Sequence, residues 1–461
     1  MMNIPRDFLI GTSSSAWQIE GCAGKGENQK SWAELFYETD PGRWAGRIGP
    51  EVACDFYHRY EEDIATMAEH GMNAFRFTIQ WARFMEDPLL GTVSEAGAAF
   101  YGRVIDCIVS HGMEPVISLE HWDIPAVLLE KFDGWVGRET VELYEIYVKA
   151  ALERYGRKVK LWFAFTEPGV PIDNGYLEGR WYPFRCDPRA AYQAHFHKVL
   201  ATARAVRAAQ PYQQYGCRMG AMIHLTPVYP RSDAPGDREA AFFGDLLQVR
   251  LYLDPYLRGE YPEELLGVLR EHGCMFRWEP EDLRQIRQYR IQVLGADYYY
   301  PIRVKQRTEP SSRGSFHPDY YYETWEMPGR EFNADRGWEI YPEAIVDFGN
   351  RIKQDYGNIP WFISENGLGI ANEGRFRNSE GMIEDDYRID FIRRHLTCAL
   401  RARESGSNCF GYLIWSFIDN LSPINAFKNR YGLLELDLDT CQRRPKKSLL
   451  WLRDAVGEGR L

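Results

Sequence analysis

An α/β chain closed into a (β/α)₈ barrel, with residues 1–461 forming one domain, is the fold this sequence predicts. Three observations carry it. Eight short apolar β-runs alternate with amphipathic helical stretches in one repeating order, which calls for a parallel sheet. No linker or shift of composition interrupts them, and eight such units in 461 residues favour closure over an open sheet. No Gly-x-Gly-x-x-Gly follows the first run, so the usual signature of an open dinucleotide-binding sheet is missing.

The first run is Phe8-Leu9-Ile10-Gly11-Thr12, followed by a polar turn from Ser13 to Gly21 that carries Trp17 and Gln18. From Asp55 to His70, residues Phe56, Tyr60, Ile64, Met67 and Ala68 share one helical stripe, and Gly71 supplies a stop. Ala74 to Thr78 is the second run, and a helix near Tyr101 to Ser110 leads to the third, Pro115 to Leu119. A helix near Thr140 to Tyr155 precedes the run Leu161 to Phe165, and a long helix from about Pro188 to Ala209 precedes Met219 to Ile223. The last three runs are Ile291 to Ala296, Trp361 to Ser364 and Gly411 to Trp415, with helical patterns at Pro342 to Tyr356 and Tyr387 to Arg403.

Two of these runs end on a carboxylate. Trp361-Phe362-Ile363-Ser364 delivers Glu365 and is cut off by Asn366-Gly367, which reads as a strand handing its Glu to a turn. Leu161-Trp162-Phe163-Ala164-Phe165-Thr166 delivers Glu167, and Pro168 both stops the strand and biases Glu167 toward an extended backbone. In a parallel barrel the groups just after each strand share one face, so Glu167 and Glu365 are expected in one pocket. Paired carboxylates are the minimum apparatus for hydrolysing an acetal. At about 5 to 5.5 Å apart one of them attacks the anomeric carbon, and at about 6.5 to 9.5 Å water fits between them and the configuration inverts. The residues by themselves leave both geometries open, along with the plainer possibility of two solvated strand-end side chains.

Composition narrows the partners. With 55 basic and 66 acidic residues the net charge is −11, which argues against a general nucleic-acid or anionic-membrane surface and requires a local basic pocket for any anionic ligand. Aromatics reach 14% of residues, which fits either packing or platforms for an amphipathic ligand such as a sugar. Nine cysteines, an odd number without a CxxC pair, point to free thiols in a reducing compartment and away from a zinc site. The segment Met1 to Asp7 has no long apolar stretch of the kind a signal peptide needs, and no later run of about 18 apolar residues suggests a membrane span, so a soluble cytoplasmic protein is expected.

Thr166-Glu167-Pro168, Ile363-Ser364-Glu365-Asn366-Gly367, Ala16-Trp17-Gln18-Ile19-Glu20-Gly21, Ala53-Cys54-Asp55-Phe56-Tyr57-His58-Arg59-Tyr60 and His121-Trp122-Asp123-Ile124-Pro125 occur in barrel order. Together they resemble the retaining β-glycosidases of glycoside hydrolase family 1, over about Ile4 to Trp451. The resemblance implies a cofactor-free, metal-free double displacement, with Glu365 as nucleophile and Glu167 as acid and then base. It implies Arg76 and Tyr299 beside the nucleophile, where a cation favours the ionised carboxylate. Gln18, His121 and Trp122 match contacts to ring hydroxyls, and Trp338 and Trp415 match aromatic walls of the sugar subsite.

The chain also departs from that family. Thr166 stands where Asn usually contacts the substrate 2-hydroxyl, and is expected to make a weaker bond there; Asp297 stands where Asn is usual. After the eighth run, Ser422-Pro423 replaces the Glu-Trp of members acting on unphosphorylated glucosides. Ser there is similar to the 6-phospho-β-glycosidase branch, whose Ser, Lys and Tyr hold the 6-phosphate. Ser422 and Tyr431 match that branch, while Asn429 occupies the apparent lysine position, with Lys428 one residue earlier as the substitute. The expected substrate is a terminal β-glucoside or β-galactoside carrying a 6-phosphate. The alternatives are a glycosidase for free sugars and, from another class, a non-catalytic sugar-binding protein on the same scaffold.

Overall fold

The computed structural model describes residues 2–461. Eight parallel strands close into a barrel: β1 (Leu9–Ser13), β2 (Ala74–Thr78), β3 (Glu114–Ser118), β4 (Leu161–Thr166), β5 (Arg218–Leu225), β6 (Leu294–Tyr298), β7 (Trp361–Asn366) and β8 (Cys409–Ile414). Each pairs with the next in sequence, and β1 closes the ring by pairing with both β2 and β8, at Gly11 opposite Ala74 and Thr12 opposite Ile414. All eight β-runs expected from the sequence are present.

The helices between them form the outer layer, with α1 at Phe56–Glu69, α2 at Glu95–Ser110, α3 at Arg138–Tyr155, α4 at Pro188–Ala209, α5 at Ala344–Asp355 and α6 at Asp386–Glu404. α4 begins where the sequence places it because Asp187 accepts a hydrogen bond from the Ala190 amide and Pro188 occupies the first turn. α1 ends at Gly71, whose φ of 79° is the left-handed value that a glycine stop supplies. α2 starts six residues before the expected Tyr101, capped by Ser94; its first turns are Ala- and Gly-rich and show no stripe of large apolar side chains.

Barrel strands alternate between two apolar environments, as the pleat requires. Phe163, Met222, Phe362 and Leu413 fill the barrel interior, whereas Trp361 and Ile363 face the helical layer. Burying a side chain of that size is worth roughly 1.5 to 3 kcal/mol each, so both faces of every strand contribute. A small sheet of Val228–Pro230, Ile302–Gln306 and Tyr322–Thr324 lies outside the barrel; it falls in the β5–β6 and β6–β7 connections, which the sequence did not resolve into elements. Among the described residues no helix is long and apolar enough to cross a membrane, and all nine cysteines are free.

Two expectations about strand ends are corrected. β7 does not stop at Ser364 but continues through Glu365 to Asn366, with register shifts against β6 and β8 that mark a bulge at the carboxylate. Asn366 keeps the strand going, since its side chain donates to the Tyr298 carbonyl at 2.6 Å and accepts from the Tyr412 hydroxyl. Glycine is then required at 367, where a Cβ would lie 1.8 Å from the Trp415 carbonyl oxygen. Glu167 is not extended: its φ is 46°, fixed by its amide bonding to the Met222 carbonyl and its own carbonyl accepting from the Val170 amide. Pro168 disfavours the right-handed helical region for the residue before it, and the left-handed one is used here at a cost of about 1 kcal/mol or more.

Candidate active site

A cavity of about 550 Å³ opens at the C-terminal end of the barrel, lined by Gln18, His121, Trp122, Glu167, Tyr299, Trp338, Glu365, Trp415, Ser422 and Tyr431 among others. Ten of the thirteen side chains singled out in the sequence therefore converge. Arg76 lies beneath them, fully buried on β2. Thr166 and Lys428 do not reach the cavity.

The floor is a compensated charge cluster. Arg76 donates to Glu365 Oε1, to the Ser14 carbonyl at 3.0 Å and toward His121 Nδ1 at 3.0 Å. The Tyr299 hydroxyl donates to the other Glu365 oxygen at 2.7 Å. Burial pushes the Arg76 guanidinium down to about 10, against the pull of the neighbouring acids, so it remains a cation at neutral pH. Burial and the Arg76 charge push His121 well down, which keeps the ring neutral. Because arginine can only donate, His121 Nδ1 must accept, and Nε2 carries the proton toward the cavity.

Glu167 is held from the other side. His224, on β5, lies 2.7 Å from Glu167 Oε1 through Nδ1. Burial would push the imidazole down, but the Glu167 charge and hydrogen bond more than reverse this and hold it above its ordinary value. Single oxygens of Glu167, Asp297 and Glu365 lie within 4.8 Å of one another. Such a triad could share a cation or a proton; here Arg76 supplies positive charge directly to Glu365, and the His224 imidazole lies against Glu167. Asp297 Oδ1 accepts from Ser364 Oγ at 2.6 Å while Oδ2 is buried without a partner. Burial, followed by the Glu167 charge, pushes Asp297 up to about 7.

Around this floor the aromatic side chains form walls. Trp415 packs with Tyr299 and Tyr431, and Trp338 stacks on Tyr300 with ring centroids 4.9 Å apart. Gln18 Oε1 accepts from Ser15 and Nε2 donates to the Leu421 carbonyl at 2.6 Å, which ties the β1 turn to the loop after β8. Trp122 Nε1 and Asn420 Nδ2 are buried donors without a partner in the protein. Polar donors beside indole faces are the equipment for holding a pyranose.

The expectation for Thr166 is corrected. Its hydroxyl points into the barrel, donating to Ser118 Oγ at 2.8 Å with Met222 Sδ at 3.4 Å, and the side chain is fully buried. The expectation for Lys428 is corrected too. Asn429–Arg430 is a short strand paired with Ile370–Ala371, and alternation along it sends Asn429 into the catalytic cavity and Lys428 and Arg430 into a separate cleft with Glu373 and Asp419. Of the cavity residues that carry no expectation from the sequence, His224 and Arg336 bear most on the chemistry. His224 follows the expected fifth run directly, a position that could have flagged it; Arg336 sits in a loop without periodicity, where no local signal marks it.

Comparison with known proteins agrees with this geometry. Residues 1–459 match the family model for glycosyl hydrolase family 1. The chain is 42% identical to the 6-phospho-beta-glucosidase GmuD of Bacillus subtilis, over 98% of this chain and 97% of that relative. It is 33% identical to beta-glucosidase A of Acetivibrio thermocellus, over 99% and 98% of the two chains. Among solved structures, a beta-glucosidase from Thermotoga maritima in complex with glucoimidazole superposes with a TM-score of 0.88 at 30% identity, covering 100% of both chains.

Proposed function

Since the chain belongs to glycosyl hydrolase family 1 and is a retaining glycoside hydrolase, we propose that Glu365 and Glu167 carry its double displacement and that the sugar it cleaves bears a 6-phosphate. Glu365 attacks the anomeric carbon while protonated Glu167 gives its proton to the departing glycosidic oxygen. The ester formed on Glu365 removes that residue's charge, and Glu167, left as a carboxylate by the first step, returns as base to take a proton from the water whose oxygen attacks the anomeric carbon, breaking the ester and releasing the sugar. Arg76 and Tyr299 hold the two Glu365 oxygens and stabilise the carboxylate both as nucleophile and as leaving group.

The observation that carries the mechanism is the approach of Glu167 and Glu365 oxygens to within 4.8 Å in one cavity. An approach that close suits direct attack and falls short of the about 6.5 to 9.5 Å that an inverting pair keeps for its water. For the substrate, Ser422 lines the cavity where a carboxylate would repel phosphate, and a hydroxyl can donate to it. The 42% identity to a 6-phospho-beta-glucosidase supports the same choice. The whole chain then acts as one catalytic domain in the cytoplasm, where sugars phosphorylated during uptake are found.

Hydrolysis of chromogenic β-glucoside, β-galactoside and their 6-phosphates by the purified chain tests the substrate. A kcat/KM at least tenfold higher for the phosphorylated pair is expected. Equal or better turnover of the free sugars would assign the chain to the unphosphorylated glycosides.

A further inference from the structure

We propose that the cation receiving the 6-phosphate is Arg336, brought in by the loop after β6, and that no lysine of the loop after β8 takes part. The inference rests on the 6-phosphate reading above.

A phosphate dianion in a confined cavity needs more than neutral hydroxyl donors, and the protein's net charge of −11 makes a local cation the more necessary. Lys428 cannot supply it, being exposed and turned into the other cleft by the strand alternation. Arg76 is committed to Glu365. Arg180 lines the mouth but is exposed, on the segment that follows Glu167. Arg336 lines the same cavity as Ser422 and Tyr431, and it makes no salt bridge among the described residues, while its Nε is buried without a partner. Its guanidinium carbon lies 4.2 Å from the centroid of the Trp338 ring, a cation–π contact that holds it against the cavity wall. It also lies beside Tyr431: burial pushes that hydroxyl up to about 12, with Arg336 pulling the other way.

The loop carrying Arg336 is tied down from the side where the lysine is missing. Asn429 Nδ2 donates to the Asp335 carbonyl at 3.1 Å, one residue before the arginine. Asp335 Oδ2 also accepts from the Ala371 amide at 3.0 Å, and Asn333 donates to the Gly369 carbonyl at 3.0 Å. Asn429, at the position where the resemblance expects the lysine, thus anchors the loop that delivers a different cation. A planar guanidinium fork can then meet two phosphate oxygens while Ser422 and Tyr431 donate to the phosphate as neutral partners.

The test compares kcat/KM for a chromogenic 6-phospho-β-glucoside and for its unphosphorylated counterpart, in the wild-type chain and in R336Q, R336M and K428A. The methionine variant keeps an apolar stem over Trp338, so one arginine replacement remains readable if the other fails to fold. In R336Q and R336M the ratio should fall roughly 30- to 100-fold, chiefly through KM of the phosphorylated substrate. In K428A it should stay within about twofold. A wild type that prefers phosphate, combined with arginine variants that keep the ratio, overturns the Arg336 assignment and leaves the substrate reading standing; so does a large loss in K428A. A wild type without phosphate preference overturns the substrate reading, and this inference with it.

Discussion

The floor and the rim of the cavity are built on opposite terms. On the floor, each catalytic carboxylate is matched to a basic partner, Arg76 for Glu365 and His224 for Glu167, carried by strands or the residues that end them. On the rim, Arg336 stands on a loop with no carboxylate partner, opposite a loop that offers Ser422, Asn429 and Tyr431. A matched cluster fixes geometry and changes charge only as the reaction proceeds. An unmatched cation is free to choose the substrate. Changes to the floor should therefore scale all substrates together, whereas changes to the rim alter the ratio between them.

The largest effect tests the first half of that contrast. Glu365→Gln keeps a side chain of the same shape beside Tyr299 but cannot form the glycosyl ester, so kcat should fall on the order of 10⁴-fold or more. Steady-state assays should show the phosphorylated and free glucosides losing the same factor. Residual turnover near the wild-type rate would remove Glu365 from the chemistry, and unequal losses would blur the division between floor and rim.

His224→Asn gives a smaller and different change. With its imidazole held above the ordinary value by the Glu167 charge and hydrogen bond, His224 keeps the proton that lies between the two residues to a higher pH than a free imidazole would. Loss of that proton disables the acid, so it sets the alkaline limb of the rate profile. In the variant the limb of kcat/KM should move to lower pH, by about a unit, and by the same amount for both substrates. A limb that does not move would make His224 a spectator of the titration.

What the sequence made legible follows from the range of the forces involved. β2 and α4 were readable to the residue because their signals are local: an apolar run in Ala74 to Thr78, and Asp187-Pro188 opening a helix. The pairing of Glu167 with Glu365 was readable because barrel order alone puts strand ends on one face. Lys428 was misplaced because one residue of parity depends on a pairing with Ile370–Ala371 that no local pattern announces. Thr166 was misplaced because its partner, Ser118, comes from the neighbouring strand β3. Arg336 enters through a loop held by Asn429, nearly a hundred positions away, and only the folded chain brings the two together.

Asp297 is the one member of the floor triad without a direct cationic partner, and it offers the finest test of how well the floor is compensated. Burial and the Glu167 charge push it up to about 7 from an ordinary 3.8, so the native chain binds its proton more tightly than the unfolded chain does. The stability this contributes is complete below about pH 4 and is lost as pH rises through about 7. Asp297→Asn keeps the shape and removes the titration. Melting curves at pH 5 and pH 8 should show a wild-type Tm that drops more between the two than the variant's, by about 2 to 4 °C. Parallel curves would mean that Asp297 ionises as a normal carboxyl, and that the floor neutralises all three of its acids.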